Sequence, residues 1–366
     1  MSGTRAPFTP RFCPNPRCPF HSGDTACWRW VRNGSYRRAA EPHRVQRFRC
    51  GHCRRNFSEQ TFAATYWLKR PERLEQVFAD LVGCAAYRQA ARKYGISPQT
   101  VALHAARLGR HCLLLHRLLC PERPIAEPLV LDSFQSFEFS QYHPTLFHLV
   151  VGKHSHFIYG FTDSELRRSG RMTAAQKRRR AELERSFGRP DPRSVEREVA
   201  RLLAIVAPVP QRLTLHTDEH QDYPRAFLAL PHLEIEHRTT SSRAARTSRN
   251  DLFAINLVDL LIRHSGANHK RETIAFSKRR QGGAARLWVF AAWRNFGKWF
   301  SERRRGETPA MRTGACARRL SVGQMLRERL FPGRIGLPER WEVYYRGLTP
   351  TRRIPSARSH QLKYAF

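Results

Sequence analysis

The chain has 366 residues, enough for two or three domains, and carries 65 Lys and Arg against 30 Asp and Glu, a net charge of +35. Self-repulsion on that scale calls for a polyanionic partner, so nucleic acid is expected, with phosphate contacts supplying most of the affinity. No run of about 20 apolar residues occurs and the first residues lack an apolar signal core, so a cytoplasmic protein with no membrane partner is expected.

Residues 1–66 are rich in Pro, Gly, Cys and Arg and show little periodicity. Of nine cysteines in the chain, Cys13 and Cys18 lie in "FCPNPRCPFH" and Cys50 and Cys53 in "VQRFRCGHCRRNFS". In a reducing compartment such knuckles bind metal rather than form disulfides. Four thiolates suit tetrahedral zinc and would fix a segment too small to bury a core of its own, so a zinc ribbon is expected. His21, His52 and Cys27 lie near enough to be alternative ligands.

Residues 70–120 change character. "PERLEQVFADLVGC" repeats apolar residues at helical spacing, and "AYRQAARKYGISPQTVALHAARLGRHC" reads as helix, tight turn and helix. Gly95 suits the turn, Ser97 caps the second helix and Pro98 takes its first position. Ala90, Ile96, Val101 and Leu108 fall at the internal contacts of a helix-turn-helix. Its exposed face is expected to carry Gln99, Thr100, His104 and Arg107 into the major groove of DNA.

After a linker at 120–128 the pattern is α/β. "LVLDSFQSFEF", "TLFHLVVGK" and "HFIYGFTDS" are strand-like runs at hairpin spacing. Two helical stretches follow and, with their flanks at about 165–207, read as a basic insertion; then come the strands "QRLTLHTDEH" and "HLEIEHRT" and the helix "DLFAINLVDLLIRH". Two of the apolar runs end on carboxylates, Asp132 and Asp218, 86 residues apart. Side by side they would repel unless a cation lay between them. Oxygen ligands of this kind suit Mg2+ or Mn2+, and two such ions would activate a nucleophile and stabilise the leaving oxygen of a phosphodiester.

These features together resemble bacterial insertion-sequence transposases of the DDE superfamily: a zinc ribbon, a helix-turn-helix, then "VLDSFQSFEF" and "LHTDEHQDY" as two aspartate strands, and "NLVDLLIRHSGANHKRETIAFSKRR", similar to the family's basic helix and "RxTxxFS" tail. The resemblance implies a catalytic domain over 128–306 with a ribonuclease H-like mixed sheet flanked by helices. It also implies metal-dependent cleavage and strand transfer at element ends, a homodimer or higher oligomer on DNA, and a nucleoid location. Asp132 and Asp218 match the first two metal-binding acids. The third departs from the usual Glu: Asp259 is the expected ligand, with Arg263, also an expected DNA contact, at i+4 and Asn256 beside it, and Glu272 is the other option. Asp251 is expected to cap that helix.

The following segment, "FSKRRQGGAARLWVFAAWRNFGKWFSERRRG", interleaves core-type aromatics with Arg279, Arg280, Lys298, Arg303, Arg304 and Arg305, expected to track phosphates. His216 and His220 flank Asp218 and are read either as satisfied structural groups or as phosphate or metal contacts. Residues 307–366 read as a small extension with a helix, a strand or extended piece, and a basic tail. A catalytically inactive DNA-binding derivative and a nuclease that cuts without joining are the competing readings.

Overall fold

The computed structural model describes residues 8–351 apart from 121, 242 and 304. Its N-terminal sheet has three antiparallel strands, β1 (Trp30–Arg37), β2 (Arg44–Cys50) and β3 (Asn56–Ser58), with β2 central. The β1–β2 register slips between Arg32 and Ser35, at Gly34, whose φ of 68° only glycine adopts readily. Val45, Phe48 and Cys50 of β2 are buried, and Phe48 joins Phe12, Trp28, Phe57 and Phe62 in an aromatic cluster.

Three helices follow, α1 (Arg73–Val82), α2 (Tyr87–Tyr94) and α3 (Pro98–Leu119). The α2–α3 turn forms as its residues dictate. Gly95 ends α2 at φ 60°, and the Ser97 hydroxyl accepts the Thr100 amide at 3.1 Å with Pro98 in the first turn. Ala90, Val101 and Leu108 are buried. However, α3 does not end with this module. Its second half enters the core beside the central sheet, where His116 stacks on Phe157 at 5.7 Å and donates from Nε2 to the Tyr159 carbonyl. Burial holds that imidazole neutral, with its pKa down to about 4.

The central sheet contains β4 (Leu129–Phe137), β5 (Pro144–Gly152) and β6 (Ile158–Glu165), then β7 (Gln211–Thr217) and β8 (Leu233–Thr239), in the order β6-β5-β4-β7-β8. The β4–β5 and β5–β6 pairs are antiparallel; β4–β7 and β7–β8 are parallel. Between β6 and β7 lie α4 (Ala174–Phe187) and α5 (Ser194–Val206), and α6 (Asp222–Phe227) precedes β8. Beyond β8 come α7 (Phe253–Ser265) and α8 (Arg280–Ala292). Alternation along β4 divides the core. Leu129 and Leu131 pack on Val199, Leu202 and Leu203 of α5, whereas Val130 and Phe134 face a core shared with α3, α7 and α8. Because α5 is one of the sheet's two covering layers, the insertion expected at 165–207 reduces to α4, in which only Leu183 is buried.

A 3-10 turn at Glu59–Phe62 follows β3 and a π-helical turn at Trp293–Gly297 continues α8; the α-helices after it are α9 (Pro309–Arg312), α10 (Val322–Met325), α11 (Pro332–Ile335) and α12 (Glu339–Arg346). They form no separate extension. Phe331 meets Phe12 edge-on at 5.1 Å inside the N-terminal aromatic cluster, and Trp341 of α12 donates to the Phe161 carbonyl of β6 at 3.1 Å. Among the described residues no strand forms in this region, where helices stand in place of the expected strand or extended piece, and the expected basic tail from 352 onward lies outside the described residues.

At the crossing of α3 and α8, a Cβ on Gly109 would lie 2.7 Å from the Cα, Cβ and carbonyl oxygen of Ala285. Helix propensity favours Ala over Gly by ~1 kcal/mol, but here the helices would have to separate. Gly109→Ala is expected to destabilise by about 2 kcal/mol or more. Gly282→Ala in α8, where the new methyl meets nothing within 4 Å, is expected to stabilise by up to ~1 kcal/mol. Opposite signs in paired denaturant titrations check this crossing.

Candidate active site and metal centre

The parallel β4–β7 ladder consists of Leu129↔Leu215 and Val130↔His216, and β7 then ends at Thr217 while β4 continues against β5 as far as Phe137↔Pro144. Asp132 and Asp218 each stand two residues past the last pair: Asp218 follows the end of β7, whereas Asp132 lies within β4, not at its end, where the parallel ladder gives out and the strands part. Asp132 shares the face of Val130 and Phe134, which is the α7 side. Ile255, Val258 and Ile262 seat α7 on that face, and the Arg263 guanidinium lies 5.6 Å over the Phe134 ring. Asp259, one turn before Arg263, is thereby carried toward Asp132.

Asp132 feels the charges of the other two acids. The Asp132 carboxyl is pushed up to about 6, first by burial and then by the charges of Asp218 and Asp259; the Ser133 amide, donating to Oδ1 at 2.7 Å, and Arg246 oppose this. Asp259 takes Arg263 Nε on Oδ2 at 3.0 Å, while its buried Oδ1 has no hydrogen-bond donor among the described residues. Asp218 Oδ1 accepts the His220 amide at 3.1 Å. Among the described residues the carboxylates do not close to within 4.8 Å as a set; the four cysteines do. Like-charged oxygens with one acceptor left open are a donor set suited to hard divalent cations.

Asn256 is half-buried one turn before Asp259, whereas Glu272 is exposed beyond the end of α7. Asp251 does not cap α7. Asn250 Oδ1 accepts the Leu252 amide at 2.8 Å, and Asp251 instead binds Lys153 Nζ at 2.5 Å. Lys153 also lies 3.2 Å from Nε2 of the buried His216, so α7 is tied to β5 and β7 beneath the acids. On the other face of β4, Ser133 Oγ meets His148 Nδ1 at 2.6 Å and the Tyr223 hydroxyl at 3.2 Å, fixing the residue that follows Asp132. Sequence reasoning missed both networks; their partners lie up to 98 residues apart and leave no local pattern.

In the N-terminal sheet Cys13 and Cys53 approach to 3.6 Å between sulfurs and Cys18 and Cys50 to 4.0 Å. Tetrahedral zinc with ~2.3 Å bonds places its sulfurs ~3.8 Å apart, whereas a disulfide needs ~2 Å. The four thiols can therefore hold zinc. Burial pushes Cys13 and Cys18 up. Cys50 sits at about 7: burial would raise it, but the Trp28 indole, 3.2 Å from its sulfur, and the amides of His52 and Cys53 outweigh that. Of the alternative ligands, His21 points Nδ1 at the Cys13 carbonyl at 2.8 Å, and Cys27 is exposed.

The expected DNA contacts divide. Gln99 is exposed, and the Thr100 hydroxyl lies 2.9 Å from that of Ser97. His104 is only 6 % exposed and Arg107 donates to the Ala64 carbonyl at 3.0 Å, so these two line a groove beside α3 instead of projecting from it. Arg280 is not on a phosphate track. It is 5 % exposed and neutralises the fully buried Asp163 at 3.1 Å and Glu165 at 3.0 Å, with Arg340 on the other side of Asp163 at 2.7 Å. Arg263 is taken up by Asp259 and the His269 carbonyl, and Lys298 by Glu302. Arg279 is half-buried, and Arg304 lies outside the described residues. No helix among the described residues is long and apolar enough to cross a membrane.

No protein-family model matches the chain, and no curated protein does. Among solved structures it is similar to the cryo-EM structure of the simian T-cell lymphotropic virus intasome in complex with PP2A regulatory subunit B56 gamma. That match has 12 % identity and a TM-score of 0.26 over 62 % of this chain and 70 % of that one, and nothing below rests on it.

Proposed function

We propose that the protein is a DNA transposase of the DDE type, which binds the ends of an insertion sequence, cleaves them and joins them to target DNA. One observation supports this reading: Asp132 and Asp218 occupy equivalent positions where β4 and β7 part, and the Asp132 carboxyl, raised first by burial, is raised further by the charges of Asp218 and of Asp259 on α7. A mixed five-stranded sheet with helices on both faces supports the ribonuclease H-like reading. The four-cysteine cluster, the α2–α3 turn and the net charge of +35 support a DNA-binding amino-terminal half.

Asp132, Asp218 and Asp259 would hold two Mg2+ or Mn2+ ions, which when bound would supply Lewis acidity to the phosphodiester. The Ser133 amide orients Asp132, and Arg263 holds one oxygen of Asp259 and leaves the other open. Hydrolysis at an element end leaves a 3′-hydroxyl. Attack by that oxygen on a target phosphate displaces a target 3′-oxygen, so no protein atom need bond to DNA. Joining two ends calls for a dimer or larger assembly on DNA.

A strand-transfer assay with DNA from the protein's own genomic flanks tests the reading and its third acid. Asp259→Asn is expected to lower joining by ~10²-fold or more, as loss of a ligand costing several kcal/mol in the transition state requires. Glu272→Gln is expected to leave it unchanged. The reverse result would move the third ligand to Glu272. Binding without cleavage in the presence of either metal would leave a DNA-binding protein only.

A further inference from the structure

Trp67 is the most conspicuous side chain that the reading above leaves unused. It is 76 % exposed, and its backbone sits at φ 64°, a left-handed conformation that costs a bulky residue free energy. It stands on the divide between two grooves that share Trp67, Leu68 and Lys69. One groove, of about 650 Å³, runs along the N-terminal sheet past Tyr36 and Tyr66; the other, of about 470 Å³, runs along α3 past Leu103 and Arg107. Together they are lined by eight Lys and Arg side chains and no Asp or Glu. The Tyr66 and Trp67 rings stand edge to face, 6.0 Å apart at 85°, and the contact leaves Trp67 76 % exposed.

We propose that these two adjoining grooves bind an unpaired DNA strand, with Trp67 as the platform on which a base stacks. The proposal rests on the nucleic-acid reading of the charge and is independent of the three acids. Reading a duplex requires a convex element that fits a major groove ~12 Å wide. Here the start of α3 is instead one wall of a concavity, with His104 and Arg107 turned toward its floor. A positively charged trough with aromatic rings at intervals is how single strands are held without reading base edges. Trp67 meets both needs, because its strained backbone presents a large ring to solvent at the junction of the two basic segments. Tyr36, 37 % exposed, extends the aromatic line along the sheet.

The test uses the full chain and an oligonucleotide of about 12 nucleotides carrying 2-aminopurine, single-stranded or annealed to its complement. Wild-type protein is expected to quench the probe in the single strand, and Trp67→Ala to bind that strand on the order of ten- to a hundred-fold more weakly with duplex affinity unchanged. Trp67→Phe is expected to recover most of the loss. Trp67→Gly, which relieves the left-handed backbone, is expected to melt no lower than wild type while binding the single strand as poorly as Trp67→Ala. Single-strand affinity unchanged in Trp67→Ala, or single-strand and duplex affinities falling together, would overturn the proposal while leaving the DNA-binding reading in place. Failure of the wild type to bind either probe would overturn both.

Discussion

Asp132→Asn is expected to reduce strand cleavage and joining by ~10³-fold or more while making the metal-free protein more stable, not less. Both halves follow from where the carboxyl sits. Its ordinary value of 3.8 holds in the unfolded chain and about 6 in the fold, so the folded state carries the extra proton between those values. At neutral pH the ionised group therefore opposes folding by up to ~3 kcal/mol, a cost that fades as pH falls through about 6 and vanishes below 3.8. Asparagine keeps the shape and removes the charge, so the melting midpoint should rise by several degrees without metal. Added Mg2+ should then stabilise the wild type and leave Asp132→Asn nearly unmoved, because only the wild type gains a counter-charge. DNA affinity should persist or rise slightly, a negative charge having left a phosphate site. Equal Mg2+ stabilisation of the two proteins, or loss of DNA binding in the variant, would remove Asp132 from the metal site.

That balance of function against stability was partly legible in the chain. "LVLD" and "TLHTD" stand out because an apolar run ending in a carboxylate has a cost that something must offset; β4 runs on past Asp132 to Phe137, but both acids fall at the parting of β4 and β7. What a local pattern cannot carry is the partner. Arg280, in a run of "SKRRQ", looks like any phosphate contact, yet it is consumed by Asp163 and Glu165, more than a hundred residues earlier. His104 and Arg107 lie on the face expected for base reading, and only the path of residues 64–73 over α3 turns that face into a groove wall. Other misreadings had a signal at hand. Val195, Val199, Leu202 and Leu203 form an i, i+4, i+7, i+8 stripe that marks α5 as a core helix and not an insertion. Trp341, Tyr344 and Tyr345 are spaced i, i+3, i+4, a helical period that marks α12.

The two expected metal sites differ in what they do for the fold. The carboxylates lie on and beside a sheet covered on both faces by apolar cores that hold no ion, Asp132 in β4, Asp218 just past β7 and Asp259 on α7, so emptying that site should cost activity and spare structure. The cysteines lie in a segment whose core is a handful of aromatic rings around the sulfurs.

Cys50→Ser is accordingly expected to release the zinc and unfold the first 60 or so residues, since structural zinc contributes about 10–16 kcal/mol in sites of this kind. The Cys50 sulfur lies between the Trp28 indole and Cys18, so its loss removes a ligand and one side of the aromatic packing together. The damage should spread through Phe331, which sits in the same cluster, and through the bond from the Arg329 amide to the Phe62 carbonyl at 2.7 Å, loosening the segment that leads to α11. It should stop at the sheet, whose core is separate. Hydrogen exchange would then show lost protection over β1–β3 and around Phe331 with β4–β7 unchanged, and zinc content would fall from about one per chain to near zero. His21→Ala, by contrast, should keep its zinc, because that imidazole is turned to the Cys13 carbonyl. Excess Mg2+ should not rescue Cys50→Ser, as thiolates select soft or borderline ions. Binding to element ends should weaken more than binding to bulk DNA, since the arginines elsewhere retain their charge. A Cys50→Ser protein that still held one zinc per chain would show that the four sulfurs are not the ligands.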